Sequence, residues 1–222
     1  MVRTLPLILP LLAFAQAVAQ PAVMKFTLAG AEVGQNTYER KADGAFTSST
    51  TLNILGQKIS SVLTGRFSGT KLVSYRLEES SPAAKGYIRY ANGSYTAEAG
   101  GSKNQGKVKI TTSALFANYH PQMASTIAQA LSKSQATSQN MQVLIMDSLV
   151  QVPFPVTFKS SRKANAGDKE VALKILSVEA GAVTVDYPIG PNNVVVGMDV
   201  PVQRFQGVLD GYTGVYEDPV SK

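Results

Sequence analysis

Apolar and polar residues alternate with period two along short runs, and glycine-containing turns punctuate those runs at close intervals. Between Ala22 and Ile110 the turn candidates are Ala29-Gly30, Asp43-Gly44, Leu55-Gly56, Ser68-Gly69, Asn92-Gly93 and Gly100-Gly101. The spacing puts Ile59, Ser61 and Leu63 on one face of a strand, with Ser60, Val62 and Thr64 on the other. In the same way Leu72, Ser74 and Arg76 oppose Val73, Tyr75 and Leu77. Thr, Tyr, Val and Ile dominate these runs, as strands prefer. Short strands joined by glycine-rich turns predict an antiparallel meander, sandwich or partial barrel. Asn92-Gly93 tolerates positive φ at both central positions of a type I′ turn, so Ile88–Ala91 and Ser94–Glu98 are predicted to form a hairpin.

The period changes once. From Phe116 to about Lys133 the chain reads FANYHPQMASTIAQALSK. Pro121 suits the first turn of a helix. Met123, Ile127 and Leu131 recur at i+4 beside Ala124 and Ala128, an apolar stripe with Gln and Ser opposite. The polar stretch after it reads as a loop, and Met141 to Val150 fits either a second helix or a buried strand. Strands then resume. Val152–Phe158 carries Pro153 and Pro155 and is expected at an edge. Ser160–Asp168 reads as a basic, polar turn. Glu170–Val178 and Ala182–Tyr187 read as a hairpin, with Val194–Val202 and Gln203–Leu209 completing the sheet. Glu217–Lys222 is expected to fray.

The fold class expected is mainly β (α+β): a curved antiparallel sheet or partial barrel with one or two covering helices. Residues 20–222 form a single β-rich domain with a helical insertion near 116–135.

The first residues follow a different logic. Arg3 gives a short basic start, Leu5 to Ala15 an apolar stretch, and Ala17-Val18-Ala19 a small-x-small cleavage signal. Residues 1–19 therefore read as a secretory signal peptide, and the mature protein as periplasmic or secreted. The apolar run is short for a membrane span and holds Pro6 and Pro10, so no transmembrane span is expected after cleavage.

Composition then narrows the chemistry. The 222 residues include no cysteine and no tryptophan. Disulfides, thiolate metal sites, Fe–S clusters and cysteine nucleophiles are thereby excluded. The formal charge is +6, with Lys+Arg 21 against Asp+Glu 15. Lys103, Lys107 and Lys109 form one loose basic cluster, and Lys159, Arg162 and Lys163 another. Either could be a solvated, edge-protecting face or a weak attraction to an anionic membrane. Lys85-Gly86-Tyr87-Ile88-Arg89-Tyr90 superficially matches an RNA-binding signature but departs from it at Ile88 and Arg89, so nucleic acid is not an expected partner. Asn92-Gly93-Ser94 spells a glycosylation sequon, although the hairpin alone accounts for the Asn-Gly.

No catalytic motif emerges. His120, the single histidine, sits before Pro121 and reads as a capping or surface residue. No G-x-S-x-G elbow and no phosphate-cradling glycine loop occur. Glu78 and Glu79, adjacent on a strand, point to opposite faces and read as solvent-side. Asp186 and Asp199 are the acids least explained by turns. No metal and no cofactor is expected.

The leader, Phe26-Thr27-Leu28-Ala29-Gly30-Ala31-Glu32-Val33-Gly34, the Phe116–Leu131 insertion and the late Val200-Pro201-Val202-Gln203 together resemble bacterial periplasmic β-proteins with a LolA-like, lipoprotein-carrier-like fold. That resemblance implies a curved sheet whose concave face, covered by helices, holds acyl chains, and it implies no catalytic residue. The leading expectation is a non-catalytic envelope protein binding a lipid or other apolar ligand, with Phe116, Met123, Ile127 and Leu131 facing it. The alternatives are a structural or protein-interaction module of an envelope assembly, with an envelope protein as partner, and a carboxylate hydrolase whose two acids converge in a cleft.

Overall fold

A computed structural model describes residues 21–81 and 85–216. The proposed signal peptide and the Glu217–Lys222 tail lie outside the described residues. Eight strands follow one another as antiparallel hairpins: β1 (Ala22–Leu28), β2 (Ala31–Arg40), β3 (Ala45–Ile54), β4 (Gln57–Ser68), β5 (Lys71–Ser80), β6 (Lys85–Ala91), β7 (Ser94–Ala99) and β8 (Ser102–Lys107). The turns between them match the sequence reading. Asn92 and Gly93 have φ of 49° and 86°, the left-handed pair that a type I′ turn requires. The hairpin around them pairs Tyr90 with Tyr95.

The chain then crosses to a second set of strands. β9 (Leu115–Phe116) leads into a 3-10 turn at Pro121–Met123 and the helix α1 (Ala124–Lys133). Helical turns thus begin at Pro121, where the sequence put them, and the preceding part of that segment is not helical. Phe116 is in a strand, and Tyr119 takes a φ of 61° that no helix allows. After α1 come β10 (Ser138–Ile145), β11 (Val150–Ala166), β12 (Lys169–Ala180), β13 (Val183–Ile189), β14 (Gly197–Val200), β15 (Phe205–Leu209) and β16 (Tyr212–Thr213). The ambiguous stretch after Met141 is a strand. Ser160–Ala166 continues β11 rather than turning, because its backbone pairs with β12 down to Ala166↔Lys169. The expectation of an edge strand at the two prolines holds locally: the β11–β12 ladder begins only at Val156, so Pro153 and Pro155 pair with β10 alone.

Pairing of β1 with β15 joins the two meanders into one sheet, in the order β8 to β1, then β15 to β9, with β16 against β11. The sheet is curved and open. Its two ends meet at residues 108–114. There the Gln151 carboxamide accepts from Thr111 N (2.8 Å) and Oγ1 (3.0 Å), and donates to the Lys109 carbonyl (2.9 Å). Side chains clasp this seam instead of a backbone ladder.

Two apolar clusters fill the concave side. One gathers α1 with β1 and the second meander, through Ile127, Leu131, Val143, Leu173 and Val178, all 0% exposed. The other gathers β3–β6 around Tyr75 and Leu63, with Leu115, Met123 and Met146 pressed into them. Close packing needs small residues where rings cross the sheet. At Gly207 an added Cβ would lie 2.8 Å from the Phe26 ring and 2.9 Å from Met24 Sδ.

Candidate functional site

Consecutive hairpins reverse the chain, so the β2–β3, β4–β5 and β6–β7 turns share one end of the barrel. There the side chains leave a cleft of about 850 Å³ between the β4–β5 turn, the β6–β7 turn and residues 107–110. Leu72, Tyr90, Val108 and Ile110 supply apolar walls, and Lys71, Lys107 and Lys109 supply cations. Leu72 and Tyr90 are themselves core residues, 3% and 6% exposed. Among the described residues no acid lines the cleft. Its volume is in the range of small-ligand sites, and its chemistry is that of an apolar slot with a positive rim.

Deeper in the first meander is a polar cluster. Asn36, Ser48, Thr50, Ser61 and His120 are each no more than 1% exposed. Asn36 Nδ2 donates to Ser48 Oγ and Thr50 Oγ1, both at 2.8 Å, and Thr50 donates to the Tyr119 carbonyl. Thr50 has one proton and spends it on a carbonyl, so Asn36 must present its amide nitrogen. The His120 ring lies between two serines, with Nε2 at 2.8 Å from Ser61 Oγ and Nδ1 at 2.9 Å from Ser48 Oγ. Burial pushes the His120 pKa down to about 3, keeping the ring neutral. The sequence expectation of a capping or surface histidine is thus overturned. His120 caps nothing with its side chain and is an interior anchor for the loop entering α1. Ser61 sits inward with Leu63, as the alternation predicted, yet solvent has no access to it.

The opposite end of the barrel carries acids. Glu78 points outward and pairs with Arg76, whereas Glu79 follows Tyr75 and Leu77 inward and stands beside Asp147. Both line a cleft of about 330 Å³ with Leu77, Tyr87 and Ile88. Burial raises the Asp147 carboxyl, the Asn118 backbone N–H, donating at 3.1 Å, opposes that rise, and Glu79 adds to it, for a net pKa of about 7. Asp147 Oδ1 has no hydrogen-bond partner. Reading both glutamates as solvent-side was therefore right for Glu78 and wrong for Glu79. The signal was available, since period two places Glu79 with Tyr75 and Leu77. Nothing in the sequence singled out Asp147, which meets Glu79 only through the tertiary fold.

The residues expected to face a ligand are dispersed by the packing. Met123 enters the first meander's core, and Ile127 and Leu131 enter the second's, all at most 1% exposed. Phe116 meets Phe154 edge to face, with ring centroids 6.1 Å apart. None of the four lines the clefts above. Of the unexplained acids, Asp186 pairs with Lys159 at 3.2 Å and sits opposite Asp199 in the β13–β14 register. Among the described residues no group of three His, Asp or Glu could hold a metal, and no helix is long and apolar enough to cross a membrane.

The geometry defines a β-barrel-like protein: one open, curved, mostly antiparallel sheet around a helix. No family model and no curated protein matches the chain. Among solved structures it is similar to a β-barrel-like protein of the domain of unknown function DUF1849 from Brucella abortus, with a TM-score of 0.53 at 10% identity. The alignment covers 89% of this chain and 97% of that one, so the likeness is one of whole fold.

Proposed function

We propose that the chain is an exported envelope protein that binds, without catalysis, an amphiphile with an apolar tail and an anionic head. The observation that carries this reading is the cleft of about 850 Å³, with Leu72, Tyr90, Val108 and Ile110 for a tail and three lysines for a head. Each buried methylene of the tail contributes roughly 0.8 kcal/mol, so a short stretch of chain gives useful affinity. Phe116, Met123, Ile127 and Leu131 take a supporting part: they fill the interior, which keeps the tail at the end of the barrel. The leader-like start supports export, and the resemblance of the sequence to LolA-like proteins supports a lipid as ligand.

The test is native mass spectrometry on mature protein from an envelope fraction, with organic extraction, followed by titration with a fluorescent fatty acid. A stoichiometric acyl lipid supports the reading. So does an affinity lowered at least tenfold by Lys71→Glu with Lys109→Glu at unchanged circular dichroism. A clean apo mass with no uptake of added fatty acid or phospholipid overturns it. The second reading, an interaction module, would then lead, because Leu55 at the β3–β4 tip is 94% exposed and β8 leaves one edge unpaired.

A further inference from the structure

The cleft does not stand alone. A depression at the β2–β3 turn shares Ser68 and Val73 with it, and a smaller one beside α1 shares Arg40, Phe67 and Gly69 with the depression at that turn. The three form one continuous surface across an end of the barrel. To the cleft's three lysines this surface adds Arg40, Lys41, Arg66 and Lys133. Its one acid among the described residues is Asp43, paired with Arg66 at 2.5 Å. Seven cations against one acid leave a surplus of six positive charges on this face. Several cations elsewhere have acid partners: Lys163 pairs with Glu170 at 2.7 Å, Lys159 with Asp186 and Lys25 with Asp210. Of the two basic clusters seen in the sequence, the one at 159–163 is thus largely neutralised, and Lys107 and Lys109 of the other belong to this end.

We propose that this end of the barrel, where the cleft opens among unmatched cations, is the face with which the protein docks on an anionic lipid bilayer. It rests on the reading of the cleft as an amphiphile site: docked this way, the cleft mouth lies against the headgroups, and a lipid enters without crossing water. Arg40 is held flat for such a contact, its guanidinium 4.7 Å above the Phe67 ring and bonded to the Gly69 carbonyl. Lys41, Lys71, Lys107, Lys109 and Lys133 are exposed. Each lysine near an anionic surface strengthens binding roughly fivefold at low salt, and the effect fades beyond a Debye length of about 10 Å.

The test is co-sedimentation of the full mature chain with vesicles of phosphatidylglycerol and phosphatidylcholine, or of phosphatidylcholine alone. Binding is expected only with the anionic lipid and should fall steeply as salt rises. Lys41→Glu with Lys133→Glu, both outside the cleft, should lower vesicle affinity at least tenfold while fatty-acid titration stays unchanged. Lys58→Glu with Lys163→Glu makes the same charge change elsewhere and should bind like the parent. Equal loss in the two double variants, binding to pure phosphatidylcholine, or equally tight binding to soluble heparin overturns the docking face. A protein that takes up fatty acid but ignores anionic vesicles does so too. One that binds anionic vesicles selectively but takes up no fatty acid keeps the face and sinks the cleft reading.

Discussion

The two meanders are built alike and filled differently. The second, with α1 laid into it, is packed with Leu, Val and Ile at 0% exposure. The first buries Asn36, Ser48, Thr50, Ser61 and His120 and opens into clefts at both ends. Equal alternation along the strands thus yields a filled half and a half with a polar centre and open mouths. One half supplies stability. The other keeps open surface at its clefts. Truncating a side chain in the second half's core should then cost far more than truncating one on a cleft wall of the first. Leu131→Ala leaves a cavity in a dry core and should destabilise by about 4 kcal/mol. Val108→Ala, on a cleft wall already open to solvent, should cost about 1 kcal/mol or less. Urea unfolding followed by tyrosine emission checks both, and similar midpoint shifts would erase the distinction.

His120 tests the polar centre. Its pKa, held near 3 in the fold against 6.5 when unfolded, means that the unfolded chain takes up the proton first. The stability it contributes is full above pH 6.5 and is lost as pH falls toward 3. The loss is on the order of 4 kcal/mol, since burial opposes the charge. His120→Gln should be less stable at pH 7, through its weakened contacts with Ser48 and Ser61, and should lack this part of the acid slope. Unfolding midpoints between pH 7 and pH 3 measure it. A variant with the parent's full slope would place the proton-sensitive group elsewhere.

Asp147 has the opposite sign. Its folded pKa near 7 lies above the unfolded 3.8, so the favourable contribution is present below pH 3.8 and lost as pH rises through 7. Asp147→Asn should therefore stabilise the protein at pH 8, by about 2 kcal/mol once partial solvent access is allowed for, and by little at pH 4. Between pH 3.8 and 6.5 the two residues oppose each other. The parent should look flatter there than either single variant. Equal effects of Asp147→Asn at pH 4 and pH 8 would mean that the carboxyl is not held protonated.

What the sequence made legible follows from how local each signal is. Turn glycines and period-two runs act within a hairpin, so Asn92-Gly93 and the inward set of Ser61 and Leu63 were readable. The order of meander, helical insertion and meander was readable for the same reason. The helix stripe and its start at Pro121 were legible, but the loop before it was not, because Tyr119 and His120 are fixed by Thr50, Ser48 and Ser61 from distant strands. Ser160–Ala166 looked like a turn because its residues are polar. They are polar because that part of β11 presents exposed side chains, with Lys163 paired to Glu170 across the ladder. Of the candidate site, Lys107 and Lys109 were visible as a cluster. Their convergence with Lys71, and the meeting of Glu79 with Asp147, depend on which strand ends the curvature brings together.

The smallest expected effect concerns the seam that holds the two halves in one barrel. Gln151 on β11 is bound to Thr111 and Lys109, next to the Lys109 and Ile110 that wall the cleft. Three neutral, solvent-exposed hydrogen bonds contribute little in net, so Gln151→Ala should lower global stability by only about 1 kcal/mol. Its local effect should be larger, because no backbone ladder among the described residues joins β8 to β9. Hydrogen exchange at residues 108–114 should quicken while protection in β12 and β13 stays as in the parent. Acceleration throughout both meanders would mean that the seam is part of the common core, and the contrast between a packed half and an open one would then end at Gln151.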